Sequence, residues 1–77
     1  MSEEQRIQRL GEKLRALREG RGMSTRQLAS QLGIRSPGYV SKLETGKQKP
    51  GLGLLLKMAL FFDISVDQLL RDDLELD

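Results

Sequence analysis

The sequence contains no cysteine and no histidine. Disulfides, thiolate metal sites and thiol catalysis are therefore excluded, and so are the imidazole base and the commonest zinc ligand. Aromatic residues are scarce, with one Tyr, two Phe and no Trp. Long apolar runs are missing too: Leu54–Leu56 and Met58–Phe62 are the longest, too short to span a bilayer. The start, Met1-Ser2-Glu3-Glu4, is acidic where a secretory leader would be basic. A cytoplasmic location without membrane attachment is expected. At 77 residues the chain reads as a single domain over 1–77. Such a domain buries only about 60% of its unfolded surface, which leaves no room for an enclosed substrate cavity, so no enzyme, cofactor or small-molecule ligand is expected.

The net charge of +2 conceals an asymmetry. Residues 1–49 hold eleven Lys and Arg against five acids, and residues 50–77 hold two against six, giving +6 and −4. A basic half suits a polyanion, whose phosphates bind by releasing condensed counterions, and an acidic half keeps the opposite face off the same polymer. A solvated helix surface would carry the same charges.

Ser2 followed by Gln5 reads as a capping box that opens a first helix. Ile7, Leu10, Leu14 and Leu17 continue it at the spacing of one helix face, and Gly20 and Gly22 offer a left-handed stop near Glu19. Gly11, inside that helix, suggests either close packing against another backbone, the favoured reading, or simple tolerance. Ser24 with Gln27 starts a second helix carrying Leu28, Ala29 and Leu32 up to Gly33. Ser36-Pro37 puts a capping hydroxyl before a first-turn proline and starts a third, with Val40 and Leu43 inward and Gly46 at its end. Two short helices joined by a tight turn make a helix-turn-helix. After the polar Lys47–Gly51, Leu52–Phe62 is apolar at nine of eleven positions, a pattern expected of a helix buried on two sides. Ser65 caps a last helix with Val66, Leu69 and Leu70, and an acidic tail, 71–77, follows, in which Leu74 and Leu76 alternate with acids as in a brief strand or a frayed end.

Five helices with this motif second and third resemble the Cro and phage-repressor-like (XRE-type) DNA-binding family. The resemblance is carried by Gly11-Glu-Lys-Leu-Arg-Ala-Leu-Arg18, Met23-Ser-Thr-Arg-Gln-Leu-Ala29, Tyr39-Val-Ser-Lys-Leu-Glu-Thr-Gly46, Lys49-Pro50, Leu55-Leu-Lys-Met-Ala59 and Ile64-Ser-Val-Asp-Gln-Leu69. It covers about residues 10–70 and implies an all-α, lambda-repressor-like domain acting on double-stranded DNA, as a transcriptional regulator and most often a repressor. The chain departs from the family by one extra residue between Gly33 and Ser41, by Leu54 and Leu60 where polar residues are usual, and by Asp63 in place of a glycine, which must take the left-handed cap itself or relax it.

A helix fits the major groove, and its N-terminal turns meet base edges. The resemblance places Pro37, Gly38, Ser41 and Lys42 there, with Ser36 and Arg35 beside them. Lys42 is the best reader, because lysine can donate to guanine O6 and N7, whereas proline and glycine carry no donor. Phosphate contacts favour helix N-termini, hydroxyls and cations, which selects Ser24, Thr25, Arg26, Tyr39, Thr45, Lys47 and Lys49. Ser24 can equally be a plain cap, and Tyr39 can equally pack its ring on the surface. Arg18 and Glu44 match family positions that often pair as ions. Leu14, Leu17, Leu28, Ala29, Leu32, Val40, Leu43, Leu55, Ala59 and Ile64 are core by periodicity. Leu54, Leu60, Phe61, Leu69, Leu70 and Leu74 form the surplus apolar surface, expected to join two chains about a twofold axis, or else to pack partly under the tail. Twofold symmetry would present two reading helices about 34 Å apart to a pseudo-palindromic operator. The acids Asp67, Asp72, Asp73, Glu75 and Asp77 lack the spacing of a calcium loop and read as a solvated tail, with no metal. An antitoxin-like or adaptor module that works mainly through a protein partner is the rival reading, since the same motif serves both.

Overall fold

The computed structural model describes residues 9–76. Five helices run in order: α1, Leu10–Gly20; α2, Thr25–Leu32; α3, Pro37–Glu44; α4, Leu52–Phe62; and α5, Val66–Leu70. There is no strand among the described residues. The capping box at Ser2 and Gln5, and Ile7, lie outside them.

Local chemistry accounts for most boundaries. At α2 the Ser24 hydroxyl accepts the Gln27 N–H and the Gln27 side chain accepts the Ser24 N–H, at 3.1 and 2.8 Å. Ser65 and Gln68 repeat this at α5. Each box satisfies two backbone donors that a helix start leaves orphaned. The expected hydroxyl cap on α3 does not form. Ser36 stands at the cap position, but its side chain makes no capping bond. The reason is local: the Tyr39 N–H, one of the two donors a capping hydroxyl can use, already donates to the Ser36 carbonyl at 3.0 Å. Gly33 (φ 72°) ends α2 in the left-handed conformation, and Asp63 (φ 56°, ψ 48°) ends α4 the same way despite its side chain.

The core joins Leu10 and Leu14 of α1, Leu28, Ala29 and Leu32 of α2, Val40 and Leu43 of α3, Leu55, Met58, Ala59 and Phe62 of α4, and Leu69 of α5. Leu17 and Ile64 only pack against it, half-buried. Leu10, Met58, Phe62 and Leu69 belong to the core beyond the positions expected from periodicity. Leu69 is 0% exposed, so it cannot supply an interface between two chains; it fills the space between α5 and the rest of the core.

One end of α1 is clasped by the other end of the chain. Lys13 is only 2% exposed, and its ammonium donates to the carbonyls of Gln68, Arg71 and Leu74, each at 2.6 Å. An ammonium has three protons, and here each finds a carbonyl, which makes its burial tolerable. The Arg9 N–H donates to the Asp72 carboxylate at 2.8 Å, supplying the cap that α1 lacks from its own side chains. The Arg9 guanidinium donates to the Asp72 carbonyl and to Glu75. The tail from 71 to 76 is thus neither strand nor frayed end but a turn tied to α1.

Candidate nucleic-acid interface

α3 turns Val40 and Leu43 into the core, and this decides what it offers outward. Gly38, Ser41, Lys42 and Thr45, at spacings of three and four, lie on the opposite, exposed side. Arg35 and Ser36, just before the helix, are exposed as well. Tyr39 sits at the edge, half-buried, with its ring packed against the core.

α2 brings its N-terminus to the same motif. Ser24 and Arg26 are exposed there and Thr25 is half-buried. The Ser24 hydroxyl holds the cap with its oxygen and keeps its own proton. Arg26 and Arg35 line one surface depression with Ala29, Ser30, Ile34 and Pro37, so two guanidinium groups from successive parts of the motif border one hollow. Lys47 and Lys49 lie exposed in the segment after α3. Thr45 is differently engaged: its hydroxyl donates back to the Ser41 carbonyl at 3.0 Å, closing the end of α3.

Two groups on α1 hold this motif from behind. Arg18 donates to both oxygens of Glu44, at 2.6 and 3.1 Å, and to the Met23 carbonyl at 2.8 Å. It therefore ties the end of α3 to the residue preceding the Ser24 cap of α2. The Glu44 hydrogen bond, outweighing the cost of burial, raises the Arg18 pKa above its already high ordinary value. The second group is Gly11, against whose backbone the Leu43 and Glu44 carbonyls lie.

The apolar surface is arranged differently from the expected set. α4 buries Leu55, Met58, Ala59 and Phe62 on one side and turns Leu52, Leu56 and Leu60 outward, 69%, 48% and 82% exposed. Four-residue spacing makes these three a continuous stripe. Leu54, Phe61, Leu70 and Leu74 are half-buried, and Phe61 is partly covered by the Arg21 guanidinium, 5.1 Å from its ring centroid. Leu52 and Leu56 were legible in the sequence as part of an all-round apolar helix; which of its leucines stay outside depends on how α4 is rotated against α2 and α5. Among the described residues no cluster of acids could hold a metal ion, and no helix is long and apolar enough to cross a membrane.

Five helices packed on one core, with α2 and α3 as a helix-turn-helix and α3 offering an outward face of short and basic side chains, define a lambda-repressor-like domain. Residues 9–72 match the helix-turn-helix domain family, and the chain belongs to it. It is 41% identical over 62 residues to the HTH-type transcriptional activator BcrR of Enterococcus faecalis, covering 80% of this chain and 30% of that protein. In structure it is similar to the P22 c2 repressor protein solved in complex with synthetic operator 9T, with a TM-score of 0.76, 28% identity, and 83% of this chain and 96% of that one covered. It is likewise similar to the N-terminal DNA-binding domain of SinR from Bacillus subtilis, with a TM-score of 0.74, 29% identity, and 87% and 97% covered. SinR has also been solved in complex with DNA and in complex with SinI. The chain spans 30%, 31% and 56% of the length of three curated relatives it matches.

Proposed function

We propose that this domain binds double-stranded DNA in a sequence-specific manner, as a cytoplasmic transcriptional repressor that works as a homodimer on a pseudo-palindromic operator. One observation carries the reading: α3 directs Gly38, Ser41 and Lys42 outward, flanked by the capped N-terminus of α2 and by the exposed Lys47 and Lys49. In this reading α3 enters the major groove and Lys42 meets a base edge, with Ser41 and Arg35 as secondary contacts and Ser36 and Gly38 admitting the DNA closely. Ser24, Thr25, Arg26, Lys47 and Lys49 meet phosphates, which sets register without reading sequence. Tyr39 and Thr45 are weaker phosphate contacts, since the ring of one packs on the core and the hydroxyl of the other is spent on Ser41. The stripe Leu52, Leu56, Leu60, with Leu54 and Phe61 at its edge and Leu70 and Leu74 nearer the tail, joins the two chains.

A protein partner on the same stripe is the second reading. The exposure of three leucines in line favours it as much as it favours a second copy, and the likeness to SinR in its complex with SinI supports it. Enrichment of bound duplexes from a random DNA library at near-physiological salt separates the two. Recovery of a two-half-site palindrome is expected. Recovery of nothing, despite binding at low salt, would leave only the electrostatic attraction and would shift the assignment to the protein-binding module.

A further inference from the structure

Gly11 stands where α1 meets the end of α3, and it has no side chain for a specific reason. A Cβ placed there would overlap the carbonyl oxygen of Glu44 and would lie 2.8 Å from both the Glu44 carbonyl carbon and the Leu43 oxygen. These are backbone atoms of a packed helix, so none can swing aside as the tip of a long side chain would. Gly11 is not among the residues with positive φ, so the demand is for space and not for a left-handed backbone. The contrast with other glycines is plain: a Cβ at Gly20, Gly51 or Gly53 would meet nothing within 4 Å.

Arg18, which grips the Glu44 carboxylate, is seven residues further along α1, about 10 Å away along the helix axis. α1 thus holds the end of α3 at two separated points, once on its backbone and once on its last side chain. A side chain at position 11 would lift one point while Arg18 kept hold of the other. α3 would tilt, and Ser41 and Lys42 would tilt with it.

We infer that Gly11 is a positioning residue for DNA reading: by having no side chain it sets the depth and tilt at which α3 is seated on α1, and so the register of Ser41 and Lys42 against the phosphate contacts of α2 and the Lys47–Lys49 loop. The inference rests on the reading of α3 as the recognition helix. Bidentate contacts to base edges tolerate little displacement, whereas phosphate contacts from flexible lysines tolerate more, so a tilt should erode preference before it erodes binding.

The test compares the wild-type chain, Gly11→Ala and Phe62→Leu, the last a core substitution on the buried side of α4, at a residue that is not among those a Cβ at position 11 would meet. For each, the ratio of affinities for the duplex enriched from the random library and for a scrambled duplex is measured at one salt concentration and 10 °C, with helicity checked by circular dichroism. The ratio for Gly11→Ala should fall about fivefold or more, as for the loss of one good base contact. Affinity for the scrambled duplex should change by less, and Phe62→Leu should melt earlier yet keep the wild-type ratio. An unchanged ratio for Gly11→Ala, an equal loss in Phe62→Leu, or a Gly11→Ala chain unfolded at 10 °C would each overturn the inference. A wild-type chain with no preference between the duplexes would overturn the DNA-reading assignment itself, and this inference with it, and the wild-type measurement alone reveals that case.

Discussion

The guanidinium of Arg18 lies across the carboxylate of Glu44 in a two-pronged contact, with the two side chains 13% and 7% exposed. The third donation, to the Met23 carbonyl, makes Arg18 a junction of three elements: α1, the entry to α2 and the exit from α3. Replacing Arg18 by Ala strands a nearly buried carboxylate and a carbonyl together. A loss of about 3 to 5 kcal/mol is expected. Thermal melting of Arg18→Ala would show it; wild-type melting would mean that water repairs the site.

Lys13 is a buried cation satisfied by carbonyls and not by an acid. Lys13→Met keeps the stem and removes the donors, so that the carbonyls of Gln68 and Leu74 lose the ammonium and the Arg71 carbonyl keeps only the Leu74 N–H. Stability should fall by about 2 kcal/mol, the scale of a charge-assisted bond left unmade. Hydrogen exchange should accelerate first in 66–76 and only later in α2 and α3. Uniform acceleration would mean that the clasp is inseparable from the core.

Lys42→Ala should relax base preference at one position in each half-site. Lys47→Gln should instead weaken binding evenly across sequences and reduce the slope of log affinity against log salt by about one. Repeating the library enrichment and a salt titration on both variants distinguishes the roles, and exchanged phenotypes would exchange the assignments.

Leu60, 82% exposed, should tolerate Glu in the folded monomer while two such charges face each other in a dimer. Leu60→Glu is expected to leave melting of the dilute chain within about 0.5 kcal/mol of wild type. It should abolish dimers in light scattering and weaken binding to a two-half-site duplex. Dimers that survive the substitution would place the interface elsewhere.

The tail should respond to acid. Hydrogen bonds from Arg9 hold the Glu75 carboxyl below its ordinary pKa, and those from Arg71 do the same for Asp73. A depressed folded-state pKa contributes stability that is present above the unfolded value and is lost as pH falls through the folded one. Both carboxylates are at the surface, so salt should shrink the effect. Amide shifts of 71–76 should hold from pH 7 to about 5 and move below about 4, before the α2–α3 signals change. Simultaneous movement of both sets would show that the clasp carries no separate transition.

Much of this protein follows from the sequence read locally. Helix starts were legible at Ser24, where a capping box is complete within four residues, and at Ser65 as a capping hydroxyl, and the left-handed stop at Asp63 was one of two outcomes left open by the family's glycine at that position. The motif of α2 and α3 follows from its caps, its glycine turn and Val40 and Leu43 facing inward, whereas the outward set Gly38, Ser41 and Lys42 was marked by the family resemblance. Charge asymmetry and the absence of Cys and His narrowed the function before any fold was considered.

The tertiary structure alone decided the contacts made between parts of the chain far apart in sequence. Nothing local in the sequence sets Lys13 apart from the other cations, and only the return of residues 68–74 to α1 makes it a buried plug. Leu69 and Leu60 are equally apolar in sequence, yet one is sealed in the core and the other stands in solvent, because helix rotation against neighbours is set by packing and not by composition. The Ser36 hydroxyl lost its capping role to its own carbonyl, a competition decided by backbone geometry. The seat of α3 on Gly11 is of the same kind: periodicity can mark a glycine in a helix, but the carbonyl it makes room for belongs to a residue 33 positions away.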